Sequence, residues 1–293
     1  MLILISDAFG PDLPDRLAAL GEVTDDKSRV AEAEVVLIRS KTKVTREYID
    51  AAPKLKYVIR GGVGLDNVDL EYAKEKGIRV DNTADASSIA VAELALAMML
   101  GAINHIPVAH QSMSEGKWAK KELKRTELYK KTLGLVGIGR IGSCVAERCK
   151  AFGMKVIAYD AYVKESDVAE LKGSLDELLA EADVISLHTP LTDETRGMLN
   201  AEKLAKAKTG VIIVNTARGL VVDEAAMKKA LEDGQVGCYA TDVWPSDPPP
   251  ADCPILSAPR TLMAPHIGAS TKENMGRIGD IVIEKLTAFA KEQ

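Results

Sequence analysis

Six consecutive residues, Gly137-Ile138-Gly139-Arg140-Ile141-Gly142, fit the pattern GxGxxG between the apolar run LGLV and an amphipathic segment that continues to Phe152. Glycines there let the backbone turn tightly and approach a pyrophosphate, whose charge faces the N-terminus of the following helix. The pattern alone is common in turns. It gains weight from Asp160, which ends the next apolar run, KVIAYD: a carboxylate in that place accepts hydrogen bonds from the ribose hydroxyls of a dinucleotide and repels a 2′-phosphate. In an open parallel sheet, ligands sit beyond the carboxyl ends of the strands. Thr189, Pro190, Thr216, Ala217, Arg218, Asp242 and His266 each follow an apolar run and are candidates for that edge. A guanidinium at Arg218, ahead of Gly219, suits bidentate binding of a carboxylate and polarisation of the adjoining carbonyl. By itself an arginine so placed more often makes a surface ion pair. His266, in a loop between Pro265 and Gly268, suits proton transfer better than His188, which a strand interior would bury, or than His105 and His110 in a charged arm.

These residues need strands to hold them, and the apolar runs supply them. From residue 132 on, TLGLVG, KVIAYD, DVISLH, GVIIVN, CYATDV and TLMAPH are separated by helical or turn-rich segments, which predicts a doubly wound sheet of six strands. The first eighty residues repeat the alternation with LILIS, VVLIR, KYVIR and IRV, with helices opening near Pro11, after Thr45 and from Asp69. A buried helix from Ser88 joins the two parts, and a charged arm, 104–130, follows it. Ser270 and Glu273 have capping-box spacing ahead of Met275, Ile278, Ile281, Val282, Leu286 and Phe289 on one helical face, so a last helix packs on the first part.

A length of 293 residues predicts two domains, and 46% hydrophobic with 28% charged residues is the balance of a folded, soluble chain. The net charge of −5 offers no positive field for nucleic acid or an anionic membrane, so any anionic ligand must be gripped locally. Cys144, Cys149, Cys238 and Cys253 have neither disulfide-framework nor metal-ligand spacing, which favours a reducing cytoplasm and no metal site. The N-terminal LILIS lacks a basic segment and a cleavage site and reads as a strand. The apolar stretch Ile89 to Ile103, interrupted by Glu93, is too short for a membrane span.

Taken together, RGGVGLDNVDL, GIGRIG, HTPL, NTARG, DVW with PSDP, and APHIGAS resemble the D-isomer-specific 2-hydroxyacid dehydrogenase family over essentially the whole chain. IRSKTKVT, SMSEGKW with the following TEL, and PHIGAST are most similar to its D-3-phosphoglycerate dehydrogenase branch. The resemblance implies NAD as cofactor and an α/β fold of two doubly wound parallel-sheet domains. In it a Rossmann NAD-binding domain, 85–268, is inserted in a flavodoxin-like substrate domain, 1–84 with 269–293. It puts catalytic roles on Arg218 and His266 and a histidine-orienting role on Asp247, where the family has glutamate. Aspartate is one methylene shorter, so either its loop moves in or the carboxylate reaches His266 less directly.

Dinucleotide contacts fall, by the same resemblance, on Gly137, Gly139, Arg140, Ile141, Gly142, Asp160, Thr189, Pro190, Thr216, Ala217, Asp242 and Gly268. The substrate cleft falls on Arg39, Arg60, Gly62, Val63 and Gly64, with interdomain salt bridges as the alternative for the two arginines. The implied reaction is oxidation of D-3-phosphoglycerate, a small phosphorylated hydroxy acid, to 3-phosphohydroxypyruvate, the opening step of serine biosynthesis. The alternatives are a glyoxylate or hydroxypyruvate reductase, another D-2-hydroxyacid dehydrogenase, or a transcriptional corepressor of the same fold that binds NAD(H). The resemblance further implies a homodimer built on the buried helix and the arm, with Lys120 or Lys121 reaching the neighbouring subunit's phosphate site. The chain stops before the regulatory domain that many family members carry, so serine feedback is not expected.

Overall fold

The segments VVLI, YVIR and VISL are buried at every position, as parallel strands are when helices cover both faces of their sheet. The computed structural model describes residues 1–292 and divides the chain into two units: Met1–Ala90 with the segment from Ala269 on, and Val91–Gly268. The first division thus falls at residue 90 rather than 84, and Gln293 of the expected segment 269–293 lies outside the described residues.

In the first unit β1 (Leu2–Ile5), α1 (Leu13–Leu17), β2 (Glu22–Thr24), β3 (Val35–Ile38), α2 (Arg46–Asp50), β4 (Tyr57–Arg60), α3 (Leu70–Glu75) and β5 (Arg79–Asn82) follow one another. The sheet order is β2-β1-β3-β4-β5, all parallel, which is the flavodoxin-like order with its reversal between β1 and β3. The expected helix starts at Thr45 and Asp69 are true caps, since their side chains accept the N–H groups of Tyr48 and Tyr72. The next helix, α4 (Ala84–Ile103), begins four residues before the expected Ser88, because its first turns carry polar residues, Ser87 and Ser88, that are nevertheless buried. It is long and apolar enough to cross a membrane, but 61% of its apolar window is buried. Ala92, Ala95, Met99 and Ile103 pack with Leu133, Val145 and Cys149, so it is a core helix.

The second unit continues with α5 (Ile106–Ser114), which the charged arm was not expected to contain. After it come β6 (Thr132–Val136), α6 (Arg140–Ala151), β7 (Lys155–Tyr159), β8 (Glu170–Leu171), α7 (Leu175–Glu181) and β9 (Val184–Leu187). Then follow α8 (Ala201–Lys206), β10 (Val211–Asn215), α9 (Glu224–Glu232), β11 (Val236–Thr241) and β12 (Thr261–Met263). The order is β12-β11-β10-β9-β6-β7-β8, again all parallel, so the chain reverses its winding between β6 and β9, where a Rossmann sheet opens its crevice.

Seven strands therefore replace the expected six, and five replace the four expected in the first unit. The additions, β2 and β8, are edge strands of three and two residues that pair with one neighbour each and bury no complete apolar face, so no hydrophobic run announces them. Finally α10 (Lys272–Glu292) returns to the first unit and buries Ile278, Val282, Leu286 and Phe289 beside Ile3, Leu17, Val35 and Tyr57. Each such side chain contributes about 1.5–3 kcal/mol. Its cap is Thr271, whose hydroxyl accepts the Asn274 N–H at 3.0 Å, and not the expected Ser270.

Candidate active site

The fingerprint loop leaves β6, and its three glycines differ in what requires them. Gly137 has φ of +95°, and a methyl group on it would lie 2.7 Å from the His188 carbonyl oxygen; one on Gly142 would lie 2.4 Å from the Gly137 carbonyl oxygen. The fold itself demands both. At Gly139, the N-cap of α6, a methyl group would meet nothing within 4 Å. A glycine that the protein does not need there fits a ligand that comes close to the backbone. Arg140 is exposed in the first turn of α6, and Ile141 packs inward on the core.

Asp160, just past β7, is held by backbone: Oδ2 accepts the Ile138 N–H at 3.0 Å, and Oδ1 accepts those of Tyr162 and Val163 at 2.9 and 3.1 Å. Burial works to raise its pKa, but the three donors outweigh it and hold the carboxyl below its ordinary value. Its charge is therefore fixed beside the glycine loop. Beyond β9 and β10 the hydroxyls of Thr189 and Thr216 and the Nδ1 of His188 are buried without a protein partner, and Pro190 is exposed beside them. Buried polar atoms require partners, so this edge, flanking the glycine loop, suits a polar ligand such as a dinucleotide. His188 is placed one residue past β9 with part of its surface exposed, not inside the strand. Burial of its ring pushes the pKa down to about 4, which leaves it neutral near pH 7.

Arg218 follows β10 on a turn tied by the buried Asn215, whose Nδ2 donates to the Arg218 carbonyl at 2.9 Å and whose Oδ1 accepts the Ala217 N–H at 3.0 Å. The Arg218 Nη1 donates to the Ala217 carbonyl at 2.7 Å. Gly219 allows the next loop to pass close by: a methyl group on it would sit 2.2 Å from the Trp244 carbonyl carbon. Trp244 in turn donates from Nε1 to the Ala264 carbonyl at 3.0 Å, two residues before His266. The loops that carry Arg218, Asp247 and His266 are thus stitched together. Asp247 Oδ2 meets His266 Nδ1 directly, so the shorter aspartate side chain does reach the ring. His266 has a left-handed backbone, φ +57°, a conformation that costs roughly 1–2 kcal/mol in a non-glycine residue. Asp242 and Gly268 are placed beside it, with the Gly268 N–H donated to Asp242 Oδ2 at 2.7 Å.

The expected substrate residues are all in the first unit, at the carboxyl ends of β3 and β4. Arg39 donates through Nε, Nη1 and Nη2 to the carbonyls of Gly61, Ala8 and Ala269, all in the same unit, at 3.3–3.4 Å. Arg60 is the buried last residue of β4, and its guanidinium packs over Gly62, where a methyl group would lie 2.4 Å from Nη1. The Val63 carbonyl accepts from Asn82 Nδ2 at 2.6 Å, and Gly64 continues the same loop. Sequence reasoning missed Asn215 and Trp244 as supports of the site. The available signal was a buried-type strand, VIIV, ending in asparagine.

Residues 96–268 match the D-isomer specific 2-hydroxyacid dehydrogenase, NAD binding domain. The chain is 45% identical over 296 residues to the D-3-phosphoglycerate dehydrogenase of Methanocaldococcus jannaschii, covering 97% of this chain and 56% of that protein. It therefore spans about half the length of that relative. It is 49% identical over 259 residues to the hydroxypyruvate reductase of Thermotoga maritima, covering 88% of this chain and 85% of that one. The structure of D-lactate dehydrogenase from Aquifex aeolicus, complexed with NAD and lactic acid, superposes with a TM-score of 0.89 at 32% identity, covering 100% of this chain and 96% of the other. With more than half of the chain matched to the family's NAD-binding domain, and with the sheet order and glycine loop described above, the chain belongs to the D-isomer-specific 2-hydroxyacid dehydrogenase family.

Proposed function

We propose that this chain is an NAD-dependent dehydrogenase of D-2-hydroxy acids and that its substrate is D-3-phosphoglycerate, oxidised to 3-phosphohydroxypyruvate. The observation that carries this reading is the convergence of Arg218, Asp247 and His266 on the carboxyl edge of the sheet that also bears the glycine loop and Asp160. NAD, held by the glycine loop and Asp160, would supply the acceptor for the hydride at C2 of the substrate. Arg218 holds the substrate carboxylate in its planar fork and stabilises the developing carbonyl. Asp247 takes the proton-bearing Nδ1 of His266, which leaves Nε2 with a lone pair to receive the hydroxyl proton. Asp160 engages the adenosine ribose.

Because Asp160 is anchored by three N–H groups, it cannot swing away from a 2′-phosphate, and NADH is expected to be strongly preferred to NADPH. Equal kcat/KM for the two dinucleotides would remove Asp160 from that role.

A phosphorylated substrate is supported by the likeness to phosphoglycerate dehydrogenases and by the placing of Arg39 and Arg60 at the strand ends of an otherwise acidic chain. The Thermotoga relative supports a second reading, reduction of hydroxypyruvate, as does the use of three Arg39 nitrogens on carbonyls. Arg60→Met keeps the buried volume and deletes the charge. Loss of one charge-assisted hydrogen bond, about 1.5–3 kcal/mol, should raise KM for the phosphorylated acid roughly ten- to 150-fold and change that for hydroxypyruvate or glyoxylate much less. Equal losses for both kinds of substrate would favour the reductase.

A further inference from the structure

The loop that carries Asp247 runs from the end of β11 to β12 and is fastened at two places. At its start, Trp244 donates to the Ala264 carbonyl and passes over Gly219. At its far end, the turn Pro254–Ser257 lies on α9: Ile255 is buried in one cluster with Met227, Leu231 and Tyr239, and Lys228 Nζ donates to Ser257 Oγ at 2.9 Å. Just ahead of that turn the buried Cys253 donates from Sγ to the Glu224 carboxylate, 3.4 Å from Oε1 and 3.3 Å from Oε2. Glu224, in the first turn of α9, is half-buried, and a carboxylate drawn out of water needs a donor. Burial, with the neighbouring carboxylate, raises the pKa of the thiol, so it keeps the proton that it donates. Between the two fastenings lie Asp247 and three prolines, Pro248, Pro249 and Pro250. Proline fixes φ, so this run is a stiff spacer with little slack, and the Cys253 N–H closes its end on the Pro250 carbonyl at 3.0 Å. An aspartate has one methylene with which to reach His266, so its backbone position decides whether Oδ2 meets Nδ1.

We propose that Cys253 and Glu224 are positioning residues for proton transfer: their contact anchors the far end of the proline spacer, and the spacer sets where Asp247 presents its carboxylate to His266. Neither touches the substrate or the dinucleotide. The inference rests on the reaction proposed for the site, yet the geometry can be read without turnover. Cys253→Ala removes the donor and leaves a small apolar side chain in the core. Cys253→Ser keeps a donor for the same carboxylate. Pro250→Gly, at an exposed position, leaves both fastenings intact and gives the spacer slack.

The test is the imidazole ¹⁵N spectrum of His266, assigned by its loss in His266→Asn, together with kcat, KM and the dinucleotide Kd. Cys253→Ala should change the His266 ring signals and lower kcat roughly ten- to 100-fold, the scale of an ångström-sized misplacement, with the Kd for NADH nearly unchanged. Pro250→Gly should change the ring signals in the same direction, and Cys253→Ser should stay close to the parent protein. Asp247→Glu added to Cys253→Ala should recover part of the lost kcat, because one more methylene restores the reach, whereas the same exchange in the parent should bring no gain. Parent-like ring signals in both Cys253→Ala and Pro250→Gly would overturn the anchor, even if the alanine variant melts at a lower temperature. A serine variant as impaired as the alanine one would overturn the role of the thiol–carboxylate contact. Altered ring signals in a protein that turns over no 2-hydroxy acid would leave the anchor standing and count against the reaction instead.

Discussion

Replacing His266 with asparagine should lower turnover by roughly 10²- to 10⁴-fold while NADH still binds. Asparagine suits the test because it tolerates the left-handed backbone that position 266 adopts, φ +57°, better than most residues, so the loop should survive the exchange. Its amide can still donate toward Asp247, but it has no nitrogen able to accept a proton from a hydroxyl. Stopped-flow or steady-state kinetics give the turnover, and quenching of protein fluorescence by NADH gives the binding. Loss of binding in step with turnover would mean that the histidine is structural. Asp247→Asn provides a milder comparison, because it keeps the hydrogen-bonding shape at Nδ1 and removes only the charge.

Arg218→Lys should be nearly as severe, with kcat/KM falling on the order of 10²- to 10³-fold, the usual cost of removing one preorganised donor to a developing oxyanion. The exchange keeps the charge and loses the plane. An ammonium cannot hold the Ala217 carbonyl, as Nη1 does at 2.7 Å, and also engage a carboxylate with two parallel N–H groups. The backbone around position 218 is held through its own carbonyl by Asn215, so the turn itself should persist. A lysine variant with nearly full activity would show that a point charge suffices and that the bidentate role is wrong.

The strands were legible because a strand covered on both faces must be apolar throughout, as VVLI and VISL are. The edge strands β2 and β8 were not, since an edge can pair through its backbone alone and asks little of its side chains. The start of α4 was hidden because Ser87 and Ser88 look like solvent residues and are buried. Among the site residues, the glycine loop and Asp160 stand close in sequence to the turns they serve and could be argued from spacing. Asp247 could not, because its bond to His266 spans nineteen residues through an irregular loop with no periodicity, and only family resemblance pointed to it. Asn215 escaped because its partners are mostly backbone, which leaves no complementary side chain for a sequence to display.

Passage of a hydride between a 2-hydroxy acid and NAD at this edge of the sheet, with a phosphorylated acid preferred, can be followed spectroscopically. The measurement is NADH absorbance, recorded with purified protein and 3-phosphohydroxypyruvate, hydroxypyruvate and glyoxylate in turn, and with NAD and D-3-phosphoglycerate for the reverse direction. NADH should be consumed with the highest kcat/KM on 3-phosphohydroxypyruvate, and NAD with D-3-phosphoglycerate should form NADH. A protein that binds NADH and oxidises it with none of the three keto acids would not be a dehydrogenase of these hydroxy acids.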